Sequence, residues 1–114
     1  MKQKIMATFE DFQKIDIRVG RIIEVLDFGE ARNPSYKIKI DFGELGIKAS
    51  SAQITKLYSK EDLLNRQIVA VVNFPPKKIA GYKSEVLILG VMKGNGEVIL
   101  LQPECEAPLG YKIG

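Results

Sequence analysis

The chain has 114 residues, 46% hydrophobic and 27% charged, which suits one globular domain with a single core. It has no histidine and one cysteine, Cys105, which excludes Ser-His-Asp and Cys-His catalytic sets, an intrachain disulfide and a thiolate metal cage. The net charge of +3 is unevenly spread: residues 45–84 hold seven basic side chains against two acidic, a net of +5, whereas residues 85–114 hold two against four. Such a concentration suits an anionic partner, and a solvated lysine face has the same composition.

No apolar segment follows the basic MKQKIM as a signal peptide requires, and no run approaches the ~20 residues of a membrane span. A cytoplasmic protein without membrane insertion is expected, and the unpaired cysteine fits a reducing compartment. Met6 offers an alternative start, which would make Met1–Ile5 an extension. No phosphate-binding glycine motif is present. The adjacent acids Glu10-Asp11 and Glu61-Asp62 fall in the first turns of expected helices, where they favour the dipole. Neither a cofactor, a metal nor an enzymatic activity is expected.

Thr8 followed by Glu10 and Asp11 predicts a capped short helix over about residues 8–13. Ile15–Asp27 is β-branched and roughly alternating, with Gly20 expected to mark a bend or bulge. The loop that follows carries Arg32-Asn33-Pro34. Tyr36–Phe42 alternates cleanly, with Lys37, Lys39 and Asp41 on its polar face. After the turn Gly43–Gly46, Ile47–Ile54 reads as a third strand, with Ile47, Ala49, Ser51 and Gln53 sharing a face. Ser59 caps a short helix ending near Asn65, with Leu63 and Leu64 to bury. Gln67–Phe74 is a near-continuous apolar strand and therefore central. Ser84–Met92 reads as another strand, and Asn95-Gly96 turns it into a final hairpin arm. The tail should wrap the surface, anchored by Tyr111 and Ile113.

Five strands with a helix between the third and fourth is the plan of the OB-fold. The expected class is all-β with short helices: a five-stranded OB barrel plus a C-terminal hairpin and tail extension, one domain over residues 1–114.

Between two apolar strands stands NFPPKKIAGYKSE, Asn73–Glu85. Pro75 and Pro76 fix the direction in which the chain leaves the strand, and Gly81 permits a tight turn. Lys77, Lys78 and Lys83 are then point charges on a stiffened arm, suited to phosphate. Tyr82 either stacks on an unpaired base or packs against the barrel. Asn73, Ser84 and Glu85 either satisfy loop backbone or line a pocket with Ser51 and Gln53. Arg32, Lys37 and Lys48 either extend the basic surface or keep their strands solvated. Phe9, Phe12, Leu109, Tyr111 and Ile113 either cover the barrel ends or form an interface between two copies of the chain.

DIRVGRI (Asp16–Ile22), NFPPKKIAGYKSE and the hairpin after it resemble the tRNA-binding domain family. IKASSAQITK (Ile47–Lys56), VVNFPPKKIAG (Val71–Gly81) and the closing GYKIG resemble its small secretion-chaperone members. Ser50-Ser51-Ala52-Gln53 stands where many members have Ser-Gly, and Leu87 where many have methionine; both fit the secretion-chaperone pattern. The resemblance covers the chain from about Thr8 onward. It implies a non-catalytic OB-fold homodimer that binds tRNA, largely by shape and backbone, and that binds unfolded preproteins or peptides in support of export. The alternative is a peptide-binding chaperone with little RNA affinity. The residues carried over as RNA- or peptide-binding are Lys48, Ser51, Gln53, Asn73, Lys77, Lys78, Tyr82, Lys83, Ser84 and Glu85.

Overall fold

A computed structural model describes residues 5–114. The stretch expected to be an extension ahead of Met6 falls, for residues 1–4, outside the described residues. Helix α1 (Phe9–Gln13) starts where its cap predicts: the Thr8 hydroxyl accepts the Asp11 N–H and the Asp11 carboxylate accepts the Thr8 N–H. The same reciprocal box, made by Ser59 and Asp62, starts α2 (Lys60–Leu63).

Strand β1 (Ile17–Asp27) is long enough to serve two neighbours. Residues 17–21 pair with β4 (Gln67–Val71), and residues 21–27 pair with β2 (Tyr36–Asp41). A short 3-10 turn (Gly43–Leu45) leads from β2 into β3 (Ile47–Ala52). With the short β7 (Leu87–Ile88), the sheet has five antiparallel strands in the order β3-β2-β1-β4-β7. It nearly closes on itself: Glu85 and Val86 both donate backbone N–H groups to the Ala49 carbonyl at the free edge of β3. Two hairpins stand outside this sheet, β5 (Lys77–Ile79) with β6 (Tyr82–Ser84), and β8 (Gly90–Met92) with β9 (Val98–Leu100). This is the expected all-β OB barrel with short helices.

Ile22, Ile38, Ile40, Phe42, Leu63 and Ile68 are fully enclosed at the barrel centre. Each such side chain contributes about 1.5–3 kcal/mol through removal from water. Four expectations need correction. The irregularity in β1 lies between Ile22 and Glu24, not at Gly20. Gly20 is instead a point of close approach, where a Cβ would stand 2.4 Å from Ile40 Cγ2 and 2.7 Å from the Phe42 ring. Leu64 stays half-exposed, because α2 ends at Leu63 and the chain turns outward there. Ser84–Met92 is not one strand, because the chain changes partner from β5 to β3, then β4, then β9. The last change falls at Gly90, where a Cβ would meet Val98 Cγ1 at 2.5 Å. The tail is held by its backbone: Gly110 N–H donates to Val19, Val19 to Tyr111 and Ile113 to Ile17, while the Tyr111 side chain points into solvent.

Candidate nucleic-acid interface

The arm expected from its prolines and lysines is a two-residue hairpin. Ala80 (φ 46°) and Gly81 (φ 81°) are both left-handed, as a type I′ turn demands, and this geometry matches the twist of the strands it joins. Lys77 pairs with Ser84, Lys78 with Lys83 and Ile79 with Tyr82. Alternation along the strands therefore separates the three lysines. Lys77 shares a side with Tyr82 and Ser84, which contact the barrel; Lys78 and Lys83 stand opposite each other on the other side, both exposed. Among the described residues, neither Lys78 nor Lys83 has a carboxylate partner within 4.0 Å.

Tyr82 docks edge-on against Phe28, with ring centroids 5.5 Å apart. Phe28 opens the β1–β2 loop, so this contact joins that loop, which carries exposed Arg32, to the β5–β6 hairpin. Lys37 of β2 sets its Nζ 4.9 Å from the Phe28 centroid and 5.3 Å from that of Tyr82. Tyr82 is therefore packed against the barrel, the second of its two expected roles. Its hydroxyl is pushed above the ordinary phenol range by burial first, then by Glu24 and Glu85.

The polar residues between these elements are occupied by structure. Ser84 Oγ accepts the Ser51 N–H at 3.0 Å, and the Glu85 carboxylate accepts the Ala49 N–H at 3.0 Å. Together with Ser50 Oγ, which donates to the Val86 carbonyl, they fasten the closing segment to the edge of β3. Asn73 accepts the Asp16 N–H and donates to the Lys14 carbonyl, tying the end of β4 to the exit of α1. Lys48 pairs with Ile40, on the same side of β3 as buried Ser50, and so lies on the opposite side of the strand from Ser51. Gln53 is exposed and borders a groove of about 330 Å³ with Ser51, Ile54, Leu87 and Met92. Lys77 borders a neighbouring groove of about 180 Å³ lined by Phe74, Pro75, Val86 and Leu87.

The structure thus joins Ser51 to Ser84, sets Tyr82 on the same side of the hairpin with Lys78 and Lys83 on its other side, and turns Lys48 to the opposite side of β3. Sequence reasoning missed Phe28, and read Lys39 only as part of the polar face of β2. Lys39 is exposed, on the same face of β2 as Lys37. Phe28 had a faint signal, an aromatic residue at the base of a ligand-type loop.

These features define an OB-fold barrel whose basic rim lies where the β1–β2 loop meets the hairpin, over the β2–β3 face that such barrels use for oligomeric ligands. The chain belongs to the putative tRNA-binding domain family, whose model matches residues 17–112. It is 42% identical over 105 residues to the methionine–tRNA ligase of Thermococcus onnurineus (strain NA1), an alignment that covers 92% of this chain and 14% of the ligase. The chain therefore spans only a small part of that relative's length. Over nearly all of its length it resembles two crystal structures. Chaperone CsaA of Bacillus anthracis str. Ames is 58% identical with a TM-score of 0.93, covering 96% of this chain and 100% of that one. The CsaA chaperone protein of Picrophilus torridus is 57% identical with a TM-score of 0.89, with the same coverage. The resemblance drawn from the sequence motifs is borne out.

Proposed function

We propose that this chain is a non-catalytic RNA-binding chaperone of the cytoplasm. In this reading it takes tRNA-class RNA on the basic rim, binds unfolded preproteins in support of export, and works as a homodimer. The carrying observation is the Lys78–Lys83 pair. Like charges directly opposite each other on a hairpin oppose its formation. Here they flank a tight two-residue turn with no carboxylate within 4.0 Å among the described residues, an arrangement that an anionic ligand relieves. Lys39 and Arg32 extend the same positive field, and phosphate contacts of this kind favour shape and backbone over sequence. The family match and the likeness to CsaA chaperones support both halves of the reading.

The test is a titration of labelled bulk tRNA across salt with wild type and the K78A/K83A variant. The expected outcome is weaker binding and a log–log salt slope shallower by about 0.7–0.9 for each phosphate that the variant no longer neutralises. Equal affinity and slope would place the RNA site elsewhere. A second reading, a peptide chaperone with little RNA affinity, is favoured by the two adjoining grooves. Phe74 and Leu87 are half-exposed there, and Leu87 belongs to both grooves. Binding of an unfolded polypeptide that resists salt, together with no tRNA binding at low salt, would favour that reading.

A further inference from the structure

The β5–β6 hairpin forms a two-stranded sheet of its own, and β5 has no partner in the barrel. At its base the hairpin is fixed by the Ser84–Ser51 hydrogen bond and the Glu85–Ala49 contacts. Toward its tip the attachment is aromatic: Tyr82 against Phe28, with the Lys37 ammonium beside both rings. Lys37 lies on the polar face of β2, where its neighbour Lys39 is exposed. Yet the Lys37 side chain is only 29% exposed, and its nearest carboxylate oxygen, on Glu30, is 3.9 Å away.

We propose that Lys37 is a positioning residue: its ammonium clasps the Phe28–Tyr82 pair and holds the hairpin at a fixed angle to the barrel, making no phosphate contact itself. The attraction between an ammonium and the negative faces of two rings suits this duty, because it joins β2 and the loop before it to the distant hairpin through one side chain. The value of the clasp to binding rests on the RNA-binding reading above. By fixing the hairpin beforehand, it spares the complex the entropy of ordering Lys78 and Lys83. The clasp itself is a property of the free protein.

Two measurements test it. Hydrogen–deuterium exchange of the free protein should be about three- to ten-fold faster over residues 77–84 in K37M, the range supported by a cation–π contact shared by two rings. The barrel strands should exchange at the wild-type rate. K37R, which keeps a cation over the rings, should restore protection, and Y82L should loosen the hairpin as K37M does. In the tRNA titration, K37M should weaken binding several-fold with its salt slope unchanged, whereas K78A/K83A lowers the slope. Wild-type exchange over residues 77–84 in K37M, whatever Y82L shows, or a lowered slope in K37M, overturns the proposal. If wild-type protein binds no tRNA, the RNA-binding reading fails while the exchange measurement still decides the clasp.

Discussion

Gly20 shows how little room the barrel leaves. Gly20 faces Ile40 and Phe42, both fully buried, and a methyl group there would overlap them. Gly20→Ala is predicted to lower unfolding stability by about 1–3 kcal/mol, the usual cost of overpacking, measured by urea denaturation. The capping carboxylates make a prediction about pH. Asp11 and Asp62 are each held below the ordinary carboxylate value of 3.8, mainly by the backbone N–H of Thr8 and of Ser59 respectively. A depressed folded-state value means that the folded protein holds these protons less tightly than the unfolded chain does. Their stabilisation is complete above the unfolded value and is lost as pH falls from 3.8 through the folded value. Replacing both by asparagine should flatten that part of the stability-against-pH curve, followed by circular dichroism.

Among the elements, those set by local chemistry were legible in the sequence. The two capping boxes, the alternation of β2, the apolar run of β4 and the Asn95-Gly96 turn each specify their structure within a few residues. The segment after Tyr82 was not legible. Its apolar run has one appearance in sequence, but each short piece bonds to a different strand, and that choice depends on which edges the rest of the fold leaves open. The same limit hid the site. The lysines were visible as a cluster, whereas their division between two sides of the hairpin follows from a register fixed by the Ala80-Gly81 turn. Asn73, Ser84 and Glu85 carried two readings, loop backbone or a pocket, because a polar side chain bonded to backbone has the same letter as one bonded to a ligand. Their occupied state predicts the effect of Ser84→Ala. It leaves the Ser51 N–H without its acceptor at the barrel closure and should cost about 1–3 kcal/mol by urea denaturation. The loosening should be focused at the β3 edge in hydrogen exchange.

For the molecule as a whole, the proposed homodimer is expected to bury apolar side chains that the single chain leaves exposed. Helix α1 buries none of its residues in the single chain, Phe9 is 72% exposed, and Tyr111 on the tail is 65% exposed. Large apolar side chains left in water on an anchored helix suit a surface that a second copy covers. Sedimentation equilibrium should show a dimer for wild type and a shift toward monomer for the Phe9→Ser/Tyr111→Ser variant, with the barrel still folded. A monomeric wild type at all concentrations would remove dimerisation from the functional reading. A dimer would also present the basic rim twice, so that two modest attachments act together on one folded RNA.

The backbone bonds of the tail set a schedule for folding. Gly110, Tyr111 and Ile113 bond to Val19 and Ile17, and Arg18 donates to the Gly110 carbonyl across 92 positions of sequence. During synthesis the first half of β1 is made early, yet the strand that covers its outer edge emerges about 5–20 s later at the usual pace of a ribosome. Until then that edge is an open template for any extended chain nearby. A nascent chain stalled before Gly110 is therefore expected to pair with other polypeptides through β1, and the arrival of Gly110–Ile113 is the event that covers that edge.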